Sequence, residues 1–560
     1  MNPTVKPLPI GISDYKKIIE NGCYYVDKTL LIQELLATKD EITLLCRPRR
    51  FGKTINLSML QYFFEKTSES HGYLFTDKLI WQDERMREHQ GRYPVIFISF
   101  KDVKEKTFKS AYNSILNLIV QEYRRHEAFV ALHLTAYEAK KYQDILHKTA
   151  NDTEYSDTLF FLSELLHRIY GKPVMVFLDE YDAPIHTAYI HGYYREMVDF
   201  IKIMLGRVLK DNVHLERGVL TGILRTAKKG IFSGLNNLTV CTFLSNQYTD
   251  KFGFTESEVT QLLTDQQVAV PVQDITAWYN GYRAGDSTLL YNPWSIVQCA
   301  KNKGELRPYW VNTSDNKLIE TLIARANQDV KIELEAMVQG GSITKIIDES
   351  FTLAETEYDD SMVWSLLLFS GYVTYAHRTL NAEGIYEYAL VVPNRELRGL
   401  YKNLIRSILK QVIQSELKIK DLFKAMEEGR VEEFGAILQE FIANAVSFYD
   451  FNKNEPEKSY HLFVLGMLVS LEGVYTIKSN RESGYGRYDI MLIPQDKKRP
   501  GVIIEFKKVF KQTVQEAADA ALAQIATKHY AAELRAAGVR TIRSYGIAFE
   551  GKELFVKMQS

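Results

Sequence analysis

The sequence predicts an α/β protein: a mainly parallel sheet with helices on both faces, then a helical region, then a smaller α/β unit at the C-terminal end. Three observations carry this reading. Apolar runs in the first 250 residues are continuous rather than alternating, as in strands covered on both faces. Helix-like spacing separates those runs, which is the βαβ order of a parallel sheet. The last hundred residues alternate short strand and helix patterns around polar turns. At 560 residues the chain exceeds what one core usually serves, and the divisions fall at 1–250, 251–450 and 451–560.

In chain order, the predicted strands are "EITLLC" from Glu41, "YPVIFISF" from Tyr93, "PVMVFLDE" from Pro173 and "RGVLTGIL" from Arg217. Helical patterns lie between them, in "KSAYNSILNLIVQEYRRH" and in "SDTLFFLSELLHRIYG", which closes on a glycine. From about 252 to 392 the pattern is helical and aromatic-rich, with the turn-rich insert "WYNGYRAGDSTLLYNPWS". A helical stretch follows to about 447, and the polar "FYDFNKNEPEKS" marks a boundary. Beyond it come a helix over 457–472, strands "VYTIKS", "RYDIMLIP" and "GVIIEFKK", a helix over 513–536 and the strand "IRSYGIAFE".

A net charge of −1 gives the whole molecule no attraction for nucleic acid, so any such contact must come from a local patch. Four cysteines without a C-x-x-C pair exclude a zinc ribbon and a disulfide framework, and fit a reducing cytoplasm. The N-terminus has no apolar signal core, and the run "LFVLGMLVSL" is too short to span a bilayer. A cytoplasmic protein with no membrane partner is expected.

"RPRRFGKT" carries the first chemistry. Gly52, Lys53 and Thr54 end a P-loop pattern in which Arg47 takes the place of the first glycine, between a buried strand and a helix. A phosphate there meets free N–H groups and the positive end of the helix dipole. Lys53 is assigned to the β/γ-phosphates and Thr54 to Mg²⁺, with Arg47, Arg49 and Arg50 adding charge for a polyphosphate. The strand ending in "FLDEYD" supplies Asp179 for the metal and Glu180 for water activation, with Asp182 in reserve. Thr221, expected on a strand between those two, is a candidate γ-phosphate sensor, and Arg225 a candidate for charge stabilisation. The expected ligands are a nucleotide and Mg²⁺.

"ESGYGRYDIMLIPQDKKRPGVIIEFKK" carries the second chemistry. Glu505 and Lys507, two apart on a strand, share a face and can meet Asp489 of the preceding strand. Two carboxylates for a divalent metal and a lysine for water suit phosphodiester cleavage, so Asp489 and Glu505 are metal candidates and Lys507 the catalytic base or positioner. Glu482 in the preceding turn, Gln524 and Tyr530 in the following helix, and Glu457 with His461 on one face of the first helix are auxiliary candidates. Lys497, Lys498, Arg499, Lys508 and Lys511 form a local basic patch. The aromatic insert with Trp278, Tyr279, Tyr282, Tyr291 and Trp294 reads as core before it reads as a stacking platform.

"YYVDKTLLIQELL", "RPRRFGKT", "FLDEYDAPI", "LTGILRTAKKGIFSGLNNL", "WYNGYR" and "YNPWSI", in this order, resemble the bacterial AAA-ATPase-like proteins whose C-terminal domain belongs to the PD-(D/E)XK nuclease superfamily. The resemblance covers nearly the whole chain. It implies a P-loop NTPase sheet, a helical lid and connector, and a C-terminal restriction-endonuclease-like α/β domain. It implies that "RPRRFGKT" is the family's usual P-loop form, that ATP is the ligand, that Asp489, Glu505 and Lys507 are the core triad, and that Gln524 assists it. The resulting expectation is an ATPase controlling a Mg²⁺-dependent nuclease on nucleic acid, DNA first, in defence against foreign DNA. Subunit contacts that complete such P-loop sites leave room for a homo-oligomer. The rival expectation is an ATP-dependent switch or scaffold whose nuclease-like domain binds without cutting.

Overall fold

A computed structural model describes residues 5–224, 232, 234–310, 323, 326, 328–349, 360–412, 416–449, 464, 467–468, 471, 473–483, 486–509, 512–550 and 553–559. Packing divides the chain into two compact units, Met1–Ile319 with Thr344–Leu397, and Glu320–Ile343 with Arg398–Ser560. The division thus falls at Leu397, inside a helix, whereas the sequence pattern breaks at polar stretches near 250 and 450. One criterion follows contacts and the other composition.

The first unit is built on a five-stranded parallel sheet of β1 (Ile42–Cys46), β2 (Val95–Ser99), β3 (Val174–Asp179), β4 (Leu215–Gly222) and β5 (Leu238–Cys241), in the order β2-β3-β4-β1-β5. Alternate residues of each strand enter opposite cores. Ile42, Leu44, Ile96, Ile98, Val174, Val176 and Leu178 pack with helices Phe108–Val130, Thr158–Tyr170 and Tyr194–Leu209. Leu45, Val95, Met175, Phe177 and Val219 pack with Leu57, Leu60, Phe63 and Phe64 of helix Lys53–Phe64. This double burial explains the unbroken apolar runs, and each filled aliphatic position contributes about 1.5–3 kcal/mol. The strand carrying Thr221 lies between the P-loop strand and the acidic strand.

The region from 252 to 392 is less purely helical than its sequence suggests. It contains helices Glu256–Asp265, Val272–Tyr279, Pro293–Lys301 and Asp360–Phe369, together with a hairpin of β6 (Tyr282–Ala284) and β7 (Thr288–Leu290). It also contains a three-stranded sheet, β8 (Ile343–Ile346), β9 (Thr374–Leu380) and β10 (Tyr386–Val391), in the order β8-β10-β9. Aromatic and β-branched residues in β9 and β10 are good strand formers, and only part of each strand is buried, so neither gives a clear period.

The second unit holds a mixed five-stranded sheet, β11 (Tyr475–Ser483), β12 (Gly486–Pro494), β13 (Gly501–Lys508), β14 (Ile542–Glu550) and β15 (Glu553–Gln559), paired in chain order with only β13 and β14 parallel. One core joins Ile490, Leu492, Ile504, Phe506 and Ile547 to helices Glu416–Glu428 and Val431–Tyr449. Another joins Met491 and Ile503 to the segment 514–536, which is two helices, Val514–Thr527 and Ala531–Ala536, rather than one. The break falls at His529, which takes a left-handed φ of 55°.

Candidate active sites

At the end of β1 the chain turns through 47–52 into helix Lys53–Phe64. The left-handed conformations in that turn fall on Arg50 (φ 67°) and Gly52 (φ 85°), so Arg47 at the first-glycine position carries no positive φ. The Lys53 ammonium donates to the carbonyls of Arg47 and Pro48, both at 3.1 Å, and lies 4.0 Å from Glu180 Oε1. These carbonyls hold it inside the loop, where a phosphate chain would run.

Asp179, fully buried at the end of β3, is the hub of the site. Its Oδ2 accepts from Thr54 Oγ1 at 2.9 Å and from Ser99 Oγ at 2.8 Å, and its Oδ1 accepts from Thr221 Oγ1 at 2.8 Å. Thr221 Oγ1 also accepts the Glu180 N–H at 3.2 Å. P-loop, acidic strand and the strand between them are thus tied by three hydroxyls on one carboxylate. Oxygen donors from a P-loop threonine and a strand-end carboxylate are the set a hard divalent cation takes beside a nucleotide, so the residues fit Mg²⁺. Glu180 is strained into φ 48° and partly open to solvent, and burial pushes its carboxyl upward while Lys53 opposes that rise.

Ser99 is a site residue that the sequence reading missed. The sequence does not mark it: only the observed register of β2 against β3 sets it beside Asp179. One expectation is corrected. Arg47 is 1% exposed, and its guanidinium donates to the carbonyls of Cys46, Cys241, Thr242 and Tyr248 and lies over Phe252, so its charge serves the loop's foundation and does not reach a phosphate. Asp182 Oδ2 accepts the N–H groups of Ile223 and Leu224 at 2.7 and 3.0 Å, which fixes the chain beyond Thr221, and the residue also lines the cavity beside Glu180. Arg225 lies outside the described residues.

Gly52, Lys53, Thr54 and Glu180 open onto a cavity of about 670 Å³. Its other walls are the apolar segment from Leu8 to Ile12, Tyr25 and Val26, and Trp294 of helix Pro293–Lys301. The exposed Arg50 stacks on Trp294 at 4.7 Å. Of the aromatic insert, Tyr279, Tyr282 and Tyr291 are core, and Tyr282 meets the P-loop's Phe51 edge-on at 5.1 Å.

In the second unit, β12 and β13 bring Asp489 beside Glu505, one step beyond the Ile490–Ile504 pair. Asp489 Oδ2 accepts the Phe506 N–H at 2.8 Å, and the Asp489 N–H points to Glu505 Oε2 at 3.4 Å. Glu505 is 2% exposed, and the Lys507 ammonium lies 3.6 Å from its Oε1. Gln524 Nε2 donates to Glu505 and also to Tyr530 Oη at 3.2 Å. Glycine makes this reach possible: Gly546 pairs with Glu505 across the sheet, and a Cβ there would sit 2.4 Å from Ala518 O. The bare backbone lets helix Val514–Thr527 approach closely enough to deliver Gln524.

Burial pushes the Asp489 carboxyl up, against the Phe506 N–H and Lys507. Two adjoining carboxylates with one ammonium make an oxygen-donor pair suited to a divalent cation. Among the described residues no three His, Cys, Asp or Glu side chains cluster to hold a metal, so the pair would need backbone or solvent oxygens to complete a shell. Glu482 is a strand residue rather than a turn residue, paired with Arg487, and its side chain lies outside the described residues, as do Glu457 and His461.

Residues 9–232 match the family model described as predicted AAA-ATPase, and residues 455–559 match the PD-(D/E)XK nuclease superfamily. The chain carries an AAA-ATPase-like domain and a C-terminal PD-(D/E)XK superfamily domain. The chain is also similar along its length to the "Uncharacterized protein in vnfD 5'region" of Azotobacter chroococcum mcd 1. The identity is 26% over 564 residues, covering 97% of this chain and 96% of that protein. Among the described residues, no helix is long and apolar enough to cross a membrane.

Proposed function

We propose that the first unit binds and hydrolyses ATP with Mg²⁺, and that its nucleotide state controls metal-dependent cleavage of nucleic acid, DNA in particular, by the C-terminal domain. The observation that carries the cleavage reading is the convergence of Asp489, Glu505 and Lys507 on one edge of β12 and β13, with Gln524 holding Glu505 from the helix above. For the nucleotide, Lys53 is placed to leave its carbonyls for the β/γ-phosphates, Thr54 and Asp179 would hold Mg²⁺, and Glu180 faces the cavity to orient water. Thr221, bonded to Asp179 and to the Glu180 backbone, would register the γ-phosphate at both. Arg50, exposed at the cavity wall, supplies charge to the phosphate chain.

At the second site Asp489 and Glu505 would hold the metal, which when bound supplies Lewis acidity and a more acidic water. Lys507 orients that water or takes its proton, and Gln524 fixes the Glu505 carboxylate. Cytoplasmic action on foreign DNA is the setting we infer from the pairing of the two domains, with assembly into a homo-oligomer as a route to completing the ATP site.

The test is cleavage of labelled single- and double-stranded DNA and RNA by the purified protein with Mg²⁺ or Mn²⁺, beside Lys507→Ala. Cutting by the wild type that vanishes in the variant supports a nuclease. Binding retained in both without any cutting favours the switch or scaffold.

A further inference from the structure

Helix Pro293–Lys301 faces the nucleotide cavity on one side and a buried acid on the other. Pro293, Trp294 and Val297 line the cavity, where Arg50 of the P-loop stacks on Trp294. The first turn is fixed by the fully buried Asn292, whose Oδ1 accepts the N–H groups of Trp294 and Ser295 at 3.0 and 3.3 Å. Ser295, also fully buried, donates its hydroxyl to Glu396 Oε2 at 2.8 Å. The other oxygen of Glu396 accepts the Trp310 N–H at 2.6 Å.

Glu396 is an unusual residue to bury. It is 0% exposed, and its carboxyl oxygens meet two neutral donors and no ion-pair partner among the described residues. A buried carboxylate is costly unless its hydrogen bonds are complete, so its position follows its donors closely. It is also placed at a joint. Glu396 lies on the first turn of helix Arg395–Val412, which begins in the first unit and, past the division after Leu397, continues in the second. Asn394 secures that entry, donating to Asn280 O at 2.8 Å and accepting the Leu397 N–H at 3.1 Å.

We propose that Glu396 is a positioning residue that couples nucleotide occupancy of the cavity to the helix leading into the second unit, through Ser295 and its neighbour Trp294. This rests on reading the cavity as an ATP site. A nucleotide that takes the Arg50 guanidinium for its phosphates draws it off Trp294, and the turn that carries Trp294 carries the Ser295 hydroxyl with it. Glu396 follows its donor, and the first turn of helix Arg395–Val412 follows Glu396. Glu396→Gln weakens this link, because a neutral amide tolerates a lost partner better than a carboxylate does, and Ser295→Ala removes it.

The experiment is hydrogen–deuterium exchange on the full chain with and without ATP and Mg²⁺, for the wild type, Ser295→Ala and Glu396→Gln, with ATPase KM measured in parallel and folding checked by thermal melting. In the wild type, ATP is expected to protect 44–60 and to change exchange in 398–412 by about fivefold or more. In both variants the protection of 44–60 and the KM are expected to persist while the change in 398–412 shrinks, most in Ser295→Ala, a split that a purely structural role would not produce. An unaltered response of 398–412 in both variants overturns the coupling alone. Absence of protection over 44–60 in the wild type overturns the ATP reading, and the coupling with it.

Discussion

Asp179 and Asp489 are both carboxylates set in a strand among apolar residues, yet they are held in opposite ways. Asp179 has three hydroxyl donors from Thr54, Ser99 and Thr221, so its charge is satisfied by neutral groups already in place. Asp489 accepts the Phe506 N–H and adjoins Glu505, a buried carboxylate, with Lys507 as the facing cation. The nucleotide site is therefore organised before a ligand arrives, while the second site concentrates negative charge that a divalent cation would relieve.

The largest expected effect separates the two sites outright. Lys507→Ala is expected to lower cleavage by about 10²–10⁴-fold while ATP turnover stays intact. Lys53→Ala is expected to lower ATP turnover by about 10²–10³-fold. Both are read from initial rates on one preparation, and loss of ATP turnover in Lys507→Ala would break the distinction.

Next, Mn²⁺ or Mg²⁺ without nucleotide should raise the melting temperature by a few degrees through Asp489 and Glu505, and Asp489→Asn should abolish the rise. A rise that survives Asp489→Asn places the cation elsewhere.

Thr221→Val is expected to lower ATP turnover about tenfold, because it leaves one Asp179 oxygen and the Glu180 N–H without their partner in a buried site. Ser99→Ala removes a single donor from an oxygen that keeps Thr54, and is expected to cost less. An equal loss in the two would contradict the hub geometry.

These residues mark what the sequence could show. The strands flanking the P-loop follow from apolar runs long enough to be covered twice, whereas the order that puts Thr221 beside Asp179 is set by the pairing of β4 between β1 and β3. Glu505 and Lys507 follow from the strand period alone. Ser99 was hidden because a serine at a strand end has many uses, and only the register across β2 and β3 gives it one. Arg47 reads as a phosphate ligand because composition reports charge and not burial. Glu396 carries no sequence signal of burial, and only the fold shows it bonded to Ser295 and the Trp310 N–H.

The smallest expected effect concerns pH. Burial raises the Glu396 carboxyl from 4.5 to about 7. The protonated form is thus favoured in the folded chain: this contribution is fully present below pH 4.5, declines as pH rises through about 7, and is gone above it. Glu396→Gln should be more stable than the wild type at pH 8, by on the order of a few kcal/mol or less, and the two should converge at acidic pH. A constant difference across pH would mean that Glu396 does not titrate there.

The claim on which the account turns is that ATP at the first site governs cutting at the second. Its most direct measurement is the initial rate of DNA cleavage at fixed Mg²⁺ as ATP is titrated, in the wild type and in Lys53→Ala. The account predicts a rate that changes with ATP and saturates in the wild type, and no ATP response in Lys53→Ala. Cleavage that is indifferent to ATP in the wild type, or equally responsive in Lys53→Ala, would contradict it.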